Sequence, residues 1–268
     1  MPSRYTATDA AAYEQLMGRW SPALARALIA WTGLGGGERV LDLGCGTGSL
    51  AAMLAERAEP ALIVGIDIAL PYVVHATRRT ADPRLAFAVG DAMALAFADG
   101  SFERVYSQLA LNFVADPGRA LREVWRVVKP GGVVAAAVWD FAGGLVYQRL
   151  FWDTAAALDL AADRARARQL SAPLTRHGEL AAAFAAAGFA RVDSRDLTIR
   201  MHYRDFADYW RPIENAQGPV GDYVRSLSRD ALDRLAAALR RAYLAGGEDG
   251  PRSMAATAWA VRGVKPGP

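Results

Sequence analysis

The 268-residue chain has a single cysteine, Cys45, which excludes an intrachain disulfide and leaves only one thiolate for a metal. No run of about 18 uncharged apolar residues occurs, so a membrane-spanning helix is not expected. The opening residues, MPSRYTATDAAAYEQ, lack a basic stretch followed by an apolar core, which points away from secretion and toward the cytoplasm. A large charge excess is also missing, since 31 Lys and Arg face 28 Asp and Glu. The basic residues are scattered, and the pairs at Arg78–Arg79 and Arg240–Arg241 fall in helical patterns, where they read as solvated faces. Composition therefore shows no nucleic-acid footprint.

What is present is apolar residue, at 53% of the chain, enough to bury a large core in one α/β domain. Short apolar runs alternate with helical patterns, the signature of a parallel sheet covered by helices. RVLDLG, ALIVGID, LAFAVG, RVYSQLA and GVVAAAVWD read as strands, with helices at SLAAMLAERA, PYVVHATRR and PGRALREVWRVV. Residues 141–188 are Ala-rich and helical in pattern, FARVDSRDLTIRMHY alternates like a strand, and SMAATAWAVRGV reads as the last one. A helical insertion fills the interval at about 204–246, broken by Pro212. The spacing predicts one or two helices within residues 1–36, ahead of the first strand.

The stretch VLDLGCGTGSL packs three glycines into five positions directly behind the first strand, where open parallel sheets bind ligands. Gly44 and Gly46 suit a tight turn and close backbone approach, and Gly48 lets the following helix lie on the strand. The spacing differs from the dinucleotide fingerprint G-x-G-x-x-G, because the third glycine arrives one residue early. Asp42, just before the glycines, carries the wrong sign for a pyrophosphate and suits a cationic ligand. Asp67 ends the second strand, where a carboxylate can accept both hydroxyls of a ribose. Asp91 follows the third strand and could reach an adenine amine, with Ala92 and Met93 beside it.

VLDLGCGTGSL, VGID, VGDAMALAFADGSFERVYSQLALNF and ALREVWRVVKPGG, in that order over about residues 38–140, resemble the successive motifs of class I S-adenosylmethionine-dependent methyltransferases, specifically the small-molecule group. The resemblance implies a doubly wound, mostly parallel seven-stranded sheet with helices on both faces, N-terminal lid helices and a helical cap. It implies one domain over residues 1–268: a lid at 1–36, a cofactor-binding half at 37–140, a helical segment at 141–188, and the remaining strands with the cap at 189–268. S-adenosylmethionine is the implied cofactor, with Gly44, Cys45, Gly46, Thr47 and Gly48 along its methionine part. By the same resemblance Asp42 faces the amino group, Asp67 with Ile68 takes the ribose, Asp91 with Ala92 and Met93 takes the adenine, and Ser107 and Gln108 meet the methionine end. Tyr13, Arg19 and Trp20 in YEQLMGRWSPALA resemble a closing lid, with Arg19 placed to pair with the methionine carboxylate.

The chain departs from the family's pattern at Ala69, where a helix-capping Ser or Thr is usual, at Ala96 in place of a proline, and at Asn112, where the family often has histidine. The last departure removes one general base. Candidates that remain are Asp140 at the fifth strand's end and His202 and Tyr203 before the insertion, His202 because its unperturbed pKa lies near neutrality. His75 and His177 read as surface residues. The acceptor class narrows by absences: no Asn/Asp-Pro-Pro-aromatic motif follows the fourth strand, no thiolate lies outside the glycine loop, and no set of cysteines suits arsenic. Aromatic residues cluster instead at Trp139, Phe141, Tyr147, Phe151 and Trp152 and in the insertion at Phe206, Tyr209 and Trp210. A small organic acceptor held by Asn112, Trp139, Tyr209, Trp210 and Glu214 is expected, with no nucleic-acid or membrane partner. Two other readings stand beside it: a non-catalytic S-adenosylmethionine-binding protein, and a methyltransferase acting on RNA or protein.

Overall fold

The computed structural model describes residues 9–57 and 59–267. Residues 1–8 of the expected lid, Ala58 at an expected helix end, and Pro268 lie outside the described residues. The chain enters through α1 (Ala10–Tyr13), which runs into a π-helical turn at Glu14–Gly18, then α2 (Ser21–Thr32). Alternation follows: β1 (Arg39–Leu43), α3 (Ser49–Arg57), β2 (Leu62–Asp67), α4 (Leu70–Arg79), β3 (Leu85–Val89), β4 (Phe102–Gln108), a 3-10 turn at Leu111–Phe113, α5 (Pro117–Val127) and β5 (Val128–Trp139). Three helices come next, α6 (Val146–Ala156), α7 (Leu160–Leu170) and α8 (Glu179–Ala186), before β6 (Ala190–Tyr203). The insertion forms α9 (Phe206–Glu214), α10 (Gly218–Ser226) and α11 (Arg229–Leu244), and β7 (Arg252–Val264) closes the chain.

The seven strands form one sheet in the order β3-β2-β1-β4-β5-β7-β6. β1 to β5 pair in parallel, while β7 runs antiparallel to both β5 and β6. Strand periodicity sorts the core into two layers. On β5, Ala135, Ala137 and Trp139 face α2, α3 and the cap, whereas Val134, Ala136 and Val138 face α5 and α8. β1 and β4 in the parallel half are largely buried on both faces and read as apolar runs, whereas β3 at the sheet edge is largely exposed.

Helix starts follow local chemistry. Asp116 accepts the Arg119 N–H at 2.9 Å at the start of α5, with Pro117 in its first turn, and Ser228 caps α11 through the Ala231 N–H. At the start of α4 Ala69 supplies no side-chain cap, and Asp67 Oδ1 accepts the Ala69 N–H instead at 2.8 Å. No helix among the described residues is long and apolar enough to cross a membrane.

Candidate active site

All four loops that leave the carboxyl ends of β1, β2, β3 and β4 open onto one cavity of about 860 Å³, which α6, α7 and α10 wall on the far side. That volume lies near the top of the roughly 300–1,000 Å³ typical of ligand pockets, enough for a nucleoside cofactor together with a second small molecule.

The glycine loop divides its work. Gly44, at φ +73°, lies so close to the β4 loop that a Cβ would sit 2.2 Å from that of Ala110. Gly48, at φ +85°, abuts Ala76 of α4 and Phe87 of β3 and is not part of the cavity wall. Gly46, at φ +53°, is the one whose Cβ would project into open space, with only Tyr72 at 4.0 Å. Gly46 thus leaves open cavity above its backbone, while Gly44, also on the cavity wall, and Gly48 pack the loop against its neighbours.

Asp42 is 1% exposed. Its Oδ2 accepts the Ala51 N–H at 3.1 Å, and its Oδ1 is buried with no partner. Burial pushes its pKa from 3.8 up to about 7, against the pull of the Ala51 N–H, and nearby Asp67 adds to the rise. Such a carboxylate calls for a cation. Asp67, also raised chiefly by burial, accepts the Gly46 N–H through Oδ2 at 3.0 Å and the Ala69 N–H through Oδ1 at 2.8 Å. Each oxygen keeps a second lone pair facing the cavity, the capacity a vicinal diol needs. Asp91 accepts the Met93 N–H at 2.8 Å and, with Ala92 and Met93, forms the third side of this half. An orphaned buried acid, an open position over Gly46 and a two-oxygen acceptor thus fit the ammonium, backbone approach and ribose of S-adenosylmethionine. Burial pushes the Cys45 thiol well above its ordinary range, which leaves it inert as a nucleophile.

Over this half lies the π-helical turn. Thr47 Oγ1 donates to Glu14, whose other oxygen pairs with Arg79 at 3.0 Å, and Tyr13 packs on Tyr72 with ring centroids 5.1 Å apart. Tyr13 lines the cavity as expected of a lid residue, but Arg19 and Trp20 do not. Asp208 of α9, 11% exposed, captures Arg19 at 2.9 Å, and the guanidinium lies over Trp20 and Tyr203, 4.4 and 5.1 Å from their centroids. Both side chains fasten the N-terminal segment to the cap instead of reaching the cofactor half.

Other expected positions also fall outside the cavity. Ser107 donates to the Leu43 carbonyl at 2.9 Å and ties β4 to β1. Asp140 accepts the N–H groups of Ala142 and Gly143 and shapes the turn after β5. His202 is exposed on the edge strand β6 beside Ser253. Tyr203 is buried against Trp20 and Tyr209, and burial holds its hydroxyl far above the usual range. Tyr209 donates to the Tyr147 carbonyl at 3.0 Å, and Trp210 stacks on Phe206 at 6.4 Å, both inside the cap's core. Glu214 ends α9 half-buried, away from the wall. For Tyr209 and Trp210 the reason is that α9 is amphipathic, and its aromatic stripe turns inward to β6 and α11 rather than toward ligand.

Gln108, Asn112 and Trp139 do line the cavity. Sequence reasoning missed Ser49, Tyr72, Gln148 and the α7 residues Ala161, Ala165, Arg168 and Gln169. The small residues at 161 and 165 sit at helical spacing, the one trace of this wall in the sequence. Trp152 Nε1 donates to Gln169, which donates onward to Gln148, so this wall is braced by its own side chains.

Residues 41–136 match the family model described as a methyltransferase domain. Over these residues the chain is similar to a methyltransferase domain. Over 123 residues it is 43% identical to the demethylmenaquinone methyltransferase of Thermus thermophilus, a match spanning 42% of this chain and 54% of that one. Over 131 residues it is 39% identical to the 2-methyl-6-phytyl-1,4-hydroquinone methyltransferase of Synechocystis sp., spanning 47% of this chain and 41% of that one. The match thus spans only about half the length of these curated relatives. The methyltransferase fold extends further than the sequence match: phosphoethanolamine N-methyltransferase 2 of Haemonchus contortus, solved with S-adenosyl-L-methionine, superposes with a TM-score of 0.62 at 20% identity, covering 98% of this chain and 58% of that one.

Proposed function

We propose that the protein transfers the methyl group of S-adenosylmethionine to a small organic acceptor bound in the α6–α7–α10 half of the cavity. The observation that carries this reading is the continuity of that half with the acid-lined half: one enclosed space with two chemically different ends. Held by Asp42, Asp67 and Asp91, the cofactor would supply an activated sulfonium methyl for transfer to the acceptor's nucleophile.

The chain's own residues bind, orient and exclude water. Asp42 holds the ammonium through Oδ1, Asp67 accepts the ribose hydroxyls, and Asp91 with Met93 borders the adenine. Glu14 on Thr47 and Tyr13 on Tyr72 roof this half. Orientation of two bound reactants supplies up to about 7–11 kcal/mol, and a positioned base would add a factor of about 10² to 10⁴. His202, Asp140 and Tyr203 lie outside the cavity, so none of these three is placed to act as the base. A ring-type acceptor is supported by the names of the two relatives, both methyltransferases of quinone-derived rings.

Incubating the protein with methyl-labelled cofactor and a metabolite extract tests this. Label in a small-molecule fraction, with S-adenosylhomocysteine formed in step, is expected. Label confined to RNA or protein, or cofactor bound without turnover under any extract, would replace this reading with one of the alternatives.

A further inference from the structure

Three buried polar atoms stand where the two halves of the cavity meet, and none has a partner: Gln108 Oε1, Asn112 Oδ1 and Trp139 Nε1. Their residues are 8%, 2% and 4% exposed, and all three line the cavity. Buried polar atoms are nearly always hydrogen-bonded, so three orphans on one cavity wall mark groups that a ligand completes. Gln108 is oriented by its Nε2, which donates to the Ser21 carbonyl at 3.0 Å, so Oε1 can only accept. The strand register places Gln108 beside Ala137, so Trp139 stands two residues further on the same face. The 3-10 turn that carries Asn112 packs against β5.

The surroundings restrict what can meet these atoms. Phe113, Phe141, Leu145 and Val220 supply apolar wall in this half, and Gln148 and Gln169, already engaged with Trp152 and each other, supply polar wall. The cation of this half, Arg168, is exposed at the mouth. Tyr223 donates to Asp159 at 3.2 Å, and burial lifts its pKa to about 12, so it stays protonated.

We propose that Asn112 and Trp139 are the specificity-determining pair of the acceptor half, and that they select a compact aromatic ring carrying a hydroxyl. This rests on the methyl-transfer reading above. An indole N–H requires an acceptor, and the unpartnered Asn112 Oδ1 requires a donor. A hydroxyl satisfies both, because it donates one hydrogen bond and accepts others. An ether leaves an acceptor of this pair unmet, a hydrocarbon leaves both atoms orphaned, and an ammonium cannot accept from the indole. A carboxylate would bring its charge beside Phe113, Phe141, Leu145 and Val220, away from Arg168, the one cation lining the cavity among the described residues. A site built to bond a hydroxyl rejects an analogue that lacks it far more strongly than it rejects a change of size.

The probes are 2-naphthol and 2-methoxynaphthalene, which share the ring and differ in the O–H, titrated by calorimetry into the full chain saturated with S-adenosylhomocysteine. Naphthol should bind about tenfold or more tightly than the ether, the equivalent of one buried hydrogen bond. Asn112→Leu and Trp139→Phe remove the polar atoms and keep a branched and an aromatic side chain in place. Asn112→Leu should bring naphthol to within about threefold of the ether, whereas Trp139→Phe, which removes a donor both probes accept from, should weaken the two probes by a similar factor. Equal binding of the two probes by the unaltered protein, no binding of either, discrimination kept in Asn112→Leu, or unchanged binding of both probes in Trp139→Phe would overturn the assignment. Titration with S-adenosylmethionine separates the two levels of the reading: no cofactor binding by the unaltered protein defeats the methyltransferase proposal, whereas cofactor binding without probe discrimination defeats this one alone.

Discussion

Replacing Asp42 with asparagine removes a charge from a site where the protein alone holds it at a cost. Raising the acid from 3.8 to about 7 corresponds to about 4 kcal/mol, at roughly 1.4 kcal/mol per tenfold change in its ionisation constant. The folded state therefore holds this proton more tightly than the unfolded chain does. Asp42's contribution to stability is full below about pH 4 and is lost as pH rises toward 7. Other carboxylates titrate the opposite way, among them Asp153 and Glu123, each drawn below its usual range by arginine partners against the opposing effect of burial. The readable quantity is thus the difference between the unaltered protein and Asp42→Asn. Without ligand, the variant should gain stability relative to the parent as pH rises from 4 to 7, by up to about 4 kcal/mol. Cofactor binding runs the other way, because the ammonium requires the ionised acid. Between pH 7 and 5.5, where an α-ammonium stays charged, the parent's affinity should fall roughly fifteenfold, and at pH 7 calorimetry should register about half a proton released per cofactor bound. The variant should bind about 1.5–3 kcal/mol more weakly and show no slope over this range. A flat affinity profile for the parent, or the same slope in the variant, would refute a cation at Oδ1.

Gly46→Val should abolish cofactor binding by calorimetry while the far-UV circular dichroism stays native, since the new branches enter the cavity; Gly44→Ala, whose methyl would meet Ala110, should instead lower the melting temperature. Asp67→Asn should weaken the cofactor by about 1.5–3 kcal/mol, and unchanged titration curves would remove Asp67 from the ribose site. Arg19→Ala should destabilise the fold by about 1–3 kcal/mol by leaving Asp208 with only the exposed Arg204, with cofactor affinity preserved; a selective loss of affinity would restore Arg19 to the lid. Trp210→Ala should cost about 3–5 kcal/mol in a denaturant melt and leave the acceptor's KM unchanged in the folded fraction.

The cofactor half was legible because its information is local. Glycines with positive φ, an acid at a strand end and a strand that stops are written within a few residues of each other, and the parallel topology fixes where they converge. Partners far apart in the chain were not legible. Arg19 lies 189 residues from Asp208, and nothing near either residue announces the pair. The aromatic residues of α9 were read toward ligand because composition reports that a helix has an apolar face and not which neighbour covers it. The direction of β7 was likewise hidden, since an apolar run pairs with its neighbours in either sense. The π-helical turn escaped notice because it rests on Glu14 reaching Thr47 and Arg79, contacts outside its own segment.

β6 and β7 stay paired up to Tyr203 opposite Arg252, and α9, α10 and α11 leave and return at that point. The intervening helices therefore begin and end on residues already held side by side, so lengthening or exchanging them adds little closure entropy and shifts no strand register. The parallel strands that carry Asp42, Asp67 and Gly46 lie elsewhere in the sheet order. An architecture of this kind separates what must stay fixed from what is free to drift. Divergence in the cap can retune which molecules enter while the far edge of the sheet continues to present the same three acids.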